Sequence, residues 1–222
     1  IRSHSPYFRV LDQRVQPGAK WFEGATVNYA EHALAGASRP DAATRPAIIF
    51  QSETQPRREI AWADLASSVG ALTTTLDALG IEAGDRVVSF MPNIPESVMA
   101  LLATAAKGAI WSICSPDMGP TSVLDRFRQI EPSVLFAVDG YRYNGKPIDR
   151  RDVVRDIVAQ LPTLEAVIFV PYLDADATLE LDAANVRVVT IAEALAQPAA
   201  PRFTPVPFDH PLWIVYSSGT TG

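Results

Sequence analysis

From Trp62 onward, apolar positions switch between a helical and an extended period. Trp62, Leu65, Val69, Leu72, Leu76 and Leu79 are spaced by threes and fours, which puts them on one face of a helix. Gly80 follows as a stop, because glycine takes up the left-handed conformation that closes a last turn. Asp85 and Arg86 lead into 87–90, a short β-rich run closed by Pro92. Pro95 suits a first helical turn, and Val98, Leu101, Leu102 and Ala105 carry an apolar stripe to Gly108. The alternation continues with a strand at Ile110–Cys114, a helix at Pro120–Ile130 and a strand at Val134–Val138. A helix over 149–161 comes next, with Val153, Val154, Ile157 and Val158 inward. Strands at 167–170 and 186–190 complete the series, the second passing into a brief helix through Glu193 and Leu195. Unbroken apolar runs of this length suit strands covered on both faces. The expected fold is α/β, a mostly parallel sheet with right-handed crossovers and helices on both faces.

The first 45 residues follow neither period. The stretch from Trp21 to Ala25 reads as irregular chain with buried aromatics, and Asn28 as a cap before a helix from Tyr29 to Leu34. The proline-rich stretch from Gln197 to Pro211 reads as an extended connector crossing the surface. A boundary near residue 55 divides the chain into an extension (1–55) that packs on an α/β unit (56–222).

Composition narrows the function classes. Apolar residues make up 48% and charged residues 20% of 222 residues, a globular balance. Nineteen basic against 25 acidic residues give a net charge of −6, so no general nucleic-acid-binding surface is expected. Cys114 is the only cysteine and there are three histidines (His4, His32, His210), which leaves no internal disulfide and little material for a metal centre. The most apolar stretch, from Val98 to Cys114, is interrupted by Lys107 and Gly108, so no membrane span is expected. No secretory leader opens the chain, and a cytoplasmic location is the expectation. Ile1 is not a start residue and Gly222 falls inside a glycine-rich turn, so both ends are expected to be cut.

That turn carries the clearest chemistry. An apolar run from Leu212 to Tyr216 reads as a buried strand, and it passes into Ser217, Ser218, Gly219, Thr220, Thr221 and Gly222. At the carboxyl edge of a parallel strand, such a loop is where α/β sheets bind ligands. Glycine lets backbone approach an oxyanion, successive N–H groups form an anion nest, and the four hydroxyls add donors. Each hydrogen bond to a charged oxygen contributes about 1.5–3 kcal/mol, so several hold a polyphosphate. The overall negative charge does not oppose this. Carboxylates beyond about 8 Å are largely screened at physiological salt, whereas loop donors act at contact. The loop fits neither the lysine-containing nucleotide loop nor the dinucleotide fingerprint. Taken by itself, a flexible polar tail remains the alternative.

The stretch from Tyr216 to Gly222 resembles the phosphate-loop motif of the adenylate-forming enzymes, which include acyl-CoA synthetases, peptide-synthetase adenylation domains and luciferases. Gly84-Asp85-Arg86-Val87-Val88, Met91-Pro92-Asn93, Pro95-Glu96 and Ala106-Lys107-Gly108-Ala109 are similar to that family's upstream strand–helix–strand block. A narrower resemblance, to the acetoacetyl-CoA synthetase group, rests on Trp21-Phe22-Glu23-Gly24-Ala25, Asn28-Tyr29-Ala30-Glu31 and Ile110-Trp111-Ser112. It also rests on Ser115-Pro116-Asp117-Met118-Gly119, Val123-Leu124-Asp125-Arg126-Phe127, Tyr143-Asn144-Gly145-Lys146 and the stretch from Pro205 to Pro211. Met118 stands where the group has phenylalanine.

The resemblance implies the N-terminal part of the large domain of an adenylate-forming enzyme, without its C-terminal domain. It implies ligation of acetoacetate to coenzyme A at the expense of ATP, through an acyl-adenylate, in cytoplasmic lipid and ketone-body metabolism. The loop at Ser217, Ser218, Gly219, Thr220, Thr221 and Gly222 would hold the β- and γ-phosphates, with Mg²⁺ bridging them. Lys146 would meet the 3′-phosphate of CoA, and Ser115, Pro116 and Asp117 would line its tunnel. No catalytic residue is expected within this stretch, and the 222 residues alone are expected to be inert. For Lys146 the competing reading is a solvated loop lysine, and for 115–117 an ordinary strand-to-helix turn. A ligase for acetate or propionate, or a non-catalytic nucleotide- or CoA-binding module, stays open at this point.

The other singletons read as structural. The four tryptophans are assigned to core or interface packing, and Cys114 to a small buried hydrophobe. His210 is not assigned to a catalytic dyad, and Arg126 and Arg128 are assigned to an exposed or paired helix face.

Overall fold

The computed structural model describes residues 2–53 and 55–217. The extension contributes β1 (Arg9–Leu11), β2 (Trp21–Glu23), β3 (Thr26–Val27) and α1 (Tyr29–Ala33). A pair, β4 (Pro46–Phe50) and β5 (Arg58–Ala61), leads into α2 (Trp62–Ala78). The alternating region follows as β6 (Arg86–Phe90), α3 (Pro95–Ala106), β7 (Ile110–Cys114), α4 (Pro120–Ile130) and β8 (Val134–Val138). Next come β9 (Gly140–Tyr143), β10 (Lys146–Asp149) and α5 (Arg151–Ala159). The series closes with β11 (Ala166–Val170), β12 (Arg187–Thr190), α6 (Ile191–Leu195) and β13 (Val206–Pro207).

The central sheet has the order β12-β11-β8-β6-β7, and every pairing in it is parallel. All five residues of both β8 and β11 are buried. Their side chains alternate between two cores, as the period of two demands. Val134, Phe136 and Val138 join Ala166, Ile168 and Val170 against α2, α3 and α6. Leu135, Ala137, Val167 and Phe169 face the other way, against Val123, Leu124 and Phe127 of α4 and Val154, Ile157 and Val158 of α5. The predicted α/β architecture with helices on both faces is therefore present.

Three features depart from the expectations. The helix predicted over 149–161 starts at Arg151, because Asp149 ends a hairpin in which it pairs with Gly140. The signal was legible: Asn144-Gly145 is the preferred dipeptide for a two-residue turn, and both residues have left-handed φ, 49° and 73°. The segment 212–216 is not a buried strand. It lies parallel beside β7 through a single bridge, Trp111 to Trp213, and its burial alternates: Trp213 is 47% and Val215 71% exposed, while Leu212, Ile214 and Tyr216 are half-buried. Covered on one side only, an apolar run behaves as an edge. Finally, the tryptophans divide: Trp111 is buried and Trp62 packs against the core, but half of Trp21 is exposed, as is nearly half of Trp213.

Asn28 caps α1 as expected, its Oδ1 accepting from the N–H groups of Ala30 (2.9 Å) and Glu31 (3.3 Å). The connector is extended and crosses α2, its backbone at Ala199 and Ala200 lying over Gly70.

Candidate functional site at the carboxyl edge of the sheet

At β6 the chain reverses direction across the sheet. It leaves the carboxyl end of β6 through α3, on one face, to reach β7; it leaves β7 through α4, on the opposite face, to reach β8 on the other side of β6. The loops leaving the two adjacent strands β6 and β8 diverge there, and such a reversal point is the usual ligand position in open α/β sheets.

Ser115, Pro116, Asp117 and Lys146 all lie beyond the carboxyl ends of sheet strands. Ser115, Pro116 and Asp117 follow directly on β7; Ser115 and Asp117 are exposed, Pro116 is buried, and the Met118 N–H donates to the Ser115 carbonyl at 3.1 Å, closing the turn into α4. Lys146 opens β10 opposite Tyr143, exposed, on the hairpin that rises from the end of β8. The strand order sets these two groups on either side of β6.

The segment 212–216, which leads to Ser217, runs along the outer edge of β7. Trp111 N–H donates to the Leu212 carbonyl (3.0 Å), Ile214 N–H to the Trp111 carbonyl (2.8 Å), and Ser112 Oγ to the Ile214 carbonyl (2.9 Å). Tyr216 fixes the approach: its hydroxyl donates to the Arg126 carbonyl at 2.7 Å, and the Arg126 guanidinium lies 5.4 Å from its ring centroid. Ser217 is exposed, whereas Ser218, Gly219, Thr220, Thr221 and Gly222 lie outside the described residues.

Electrostatics at this edge favour the neutral forms of Cys114 and Tyr216. Burial pushes the Cys114 thiol up to about 11, against a smaller opposing effect of Arg126. Burial also raises the Tyr216 phenol, with Cys114 adding to the shift and Arg126 opposing it. A thiol in that state is a packing group and not a nucleophile. His210, likewise, is spent on structure, its Nε2 lying 2.7 Å from the Gly108 carbonyl. Among the described residues no group of three or more His, Cys, Asp and Glu is placed to hold a metal ion, and no helix is long and apolar enough to cross a membrane.

Two anchors of this edge carried no functional weight in the sequence. Asp139, buried at the end of β8, accepts from the N–H groups of Tyr172 (2.7 Å), Leu173 (2.8 Å) and Asp174 (2.8 Å), tying the loop after β11 to the hairpin base. Glu53 reaches the hairpin tip from the far end of the chain. Long-range partners of single carboxylates leave no periodic trace in sequence.

An all-parallel central sheet with its reversal point at β6 defines an open α/β fold, and the sequence profile described as "AMP-binding enzyme" matches residues 37–222. The chain belongs to that family. Within it, the chain is similar to acetoacetyl-CoA synthetases. It is 36% identical over 232 residues to that of Caenorhabditis elegans, covering 100% of this chain and 32% of the relative. It is 42% identical over 207 residues to the acetoacetyl-coenzyme A synthetase of Rhizobium meliloti (strain 1021), covering 92% and 30%. The solved acetoacetyl-CoA synthetase from Streptomyces lividans matches with a TM-score of 0.91 at 51% identity, over 100% of this chain and 33% of that one. The chain thus spans about a third of the length of the curated relatives it matches.

Proposed function

We propose that this chain is the nucleotide-entry portion of an acid–thiol ligase that joins acetoacetate to coenzyme A, forming AMP and pyrophosphate. The observation that carries the reading is the 51% identity, over the whole chain, to the Streptomyces lividans acetoacetyl-CoA synthetase. In the proposed reaction the acid's carboxylate attacks the α-phosphate of ATP, pyrophosphate leaves, and the CoA thiol then displaces AMP from the acyl-adenylate.

Two physical demands follow, charge stabilisation on the leaving pyrophosphate and alignment of the carboxylate. In this reading Ser217, Ser218, Gly219, Thr220, Thr221 and Gly222 meet the first with hydroxyl and backbone donors on the β- and γ-phosphates. Mg²⁺, if bound with the ATP phosphates, would supply charge screening. Lys146 takes the 3′-phosphate of CoA, and Ser115, Pro116 and Asp117 border the path of its pantetheine arm. Residues 1–55 serve as an extension clasping the α/β unit 56–222, and the ligase works in the cytoplasm on short-chain acids derived from lipid breakdown.

The test uses the full-length protein with ATP, CoA and a panel of acetoacetate, acetate, propionate and butyrate. Acetoacetate is expected to give the highest kcat/KM for CoA-dependent AMP formation. A preference for acetate or propionate would keep the ligase chemistry and reject the substrate. Absence of pyrophosphate release with every acid, in a protein that still binds ATP, would favour a binding module. Ser218→Ala is expected to raise the KM for ATP about ten- to 150-fold, in line with the loss of one hydrogen bond to a charged oxygen.

A further inference from the structure

Two hairpin tips meet across the molecule. One is the loop between β4 and β5, which carries Glu53; the other is the Asn144-Gly145 turn between β9 and β10. The Glu53 carboxylate accepts from both amides of that turn, Oε1 from Asn144 N–H at 3.1 Å and Oε2 from Gly145 N–H at 2.7 Å. A carboxylate spread over two successive N–H groups holds a turn in orientation as well as in place, because each oxygen fixes one amide direction. The hairpin it holds is short, with four paired positions, and a two-stranded ribbon of that length is marginal without outside support. Its base is held by Arg150 N–H donating to the Asp139 carbonyl at 2.7 Å; its tip is held by Glu53. The residue immediately after the clamped turn is Lys146.

We infer that Glu53 is a positioning residue for coenzyme A, fixing the Asn144-Gly145 turn so that the Lys146 ammonium is presented toward the reversal point of the sheet. The inference rests on the reading above that Lys146 meets the 3′-phosphate of CoA. Glu53 acts through the turn and does not itself touch the ligand. The carboxylate keeps its charge, so the Glu53→Gln variant separates its positioning of the turn from any repulsion of an anion.

The experiment measures steady-state constants of the full-length protein for ATP, acetoacetate, CoA and dephospho-CoA, which lacks the 3′-phosphate. The variants are Lys146→Ala, Glu53→Ala, Glu53→Gln and the double variant Lys146→Ala/Glu53→Ala. Glu53→Ala is expected to raise the KM for CoA about three- to tenfold, the range that corresponds to one or two weakened hydrogen bonds, with the other KM values and kcat unchanged. Glu53→Gln keeps one acceptor and should fall between wild type and Glu53→Ala, and it serves alone should Glu53→Ala not fold. The KM for dephospho-CoA should not move, and the double variant should be no worse than Lys146→Ala.

Each contrary result has a distinct meaning. A CoA defect in Lys146→Ala with none in either Glu53 variant overturns the inference and spares the reading beneath it. Unchanged CoA binding in Lys146→Ala removes the reading, and the inference falls with it. Tighter CoA binding in Glu53→Gln would show a repulsive carboxylate, and additive effects in the double variant or an equal loss for all substrates would show a general stabiliser; any of these overturns the inference.

Discussion

The side-chain amide of Asn28 donates to the carbonyl oxygen of Thr204 at 2.9 Å, joining positions 176 residues apart. The same nitrogen reaches the carbonyls of Ala105 (2.9 Å) and Ala106 (3.0 Å) at the end of α3, while its oxygen caps α1. One fully buried side chain thus welds the extension, a sheet-packing helix and the connector. Asn28→Ala is expected to destabilise the protein by about 1–3 kcal/mol, combining a lost cap with the lost donor to the Thr204 carbonyl; the Ala105 and Ala106 carbonyls keep the N–H groups of Gly108 and Thr204. The shift in urea midpoint at constant slope measures this. Asn28→Asp should not rescue, since it keeps the cap and loses the donor.

Gly70 sets two effects against each other. Alanine is favoured over glycine inside a helix by about 1 kcal/mol. Here, however, a Cβ would stand 2.0 Å from the Ala199 carbonyl oxygen and 2.6 Å from its carbon, both backbone atoms of the connector. Displacing packed backbone costs about 1–3 kcal/mol or more, so overpacking wins and Gly70→Ala is expected to lower the melting temperature. A rise would mean that the connector does not lie on α2 in solution.

Tyr216→Phe tests the approach to the loop. It deletes the 2.7 Å bond to the Arg126 carbonyl and keeps the ring beneath the guanidinium. In the full-length protein the expected result is a rise of about two- to tenfold in the KM for ATP, equivalent to about 0.5–1.5 kcal/mol, with the KM for CoA unaffected. Equal effects on both substrates would show that Tyr216 serves general stability only.

Cys114 gives a pH prediction. Its thiol sits at about 11 in the folded protein against 9.0 for the free group. The folded state therefore keeps a proton that the unfolded chain releases earlier. Stability from this group is full below pH 9 and is lost as pH rises from 9 through about 11. Urea midpoints should fall across that window more steeply in wild type than in Cys114→Ala. At pH 8, alkylation in native buffer should be about ninetyfold slower than in urea from the difference in thiolate fraction, and slower still because the thiol is buried.

The sheet strands and their flanking helices were legible because burial on both faces writes a long apolar run, and one-face burial writes a three–four spacing. The Asn28 cap was legible for the same local reason, but its three long-range acceptors were not. The β9–β10 hairpin was written in Asn144-Gly145, and its signal lay hidden between two stronger patterns, β8 and α5. The run 212–216 misled, because five residues with no polar break among them look alike whether a strand is enclosed or lies along an edge.

By itself, the sequence determined the α/β class and the alternation of sheet strands with their flanking helices from Trp62 onward, both consequences of local periodicity and residue type. Only the tertiary structure decided that β6 lies between β7 and β8, that the segment before Ser217 runs along the open side of β7, and that Glu53 grips a turn 91 residues away. Strand order and single hydrogen bonds between distant loops depend on how whole faces pack. Chain neighbours do not encode that choice, because the same alternation of apolar residues fits more than one arrangement of strands.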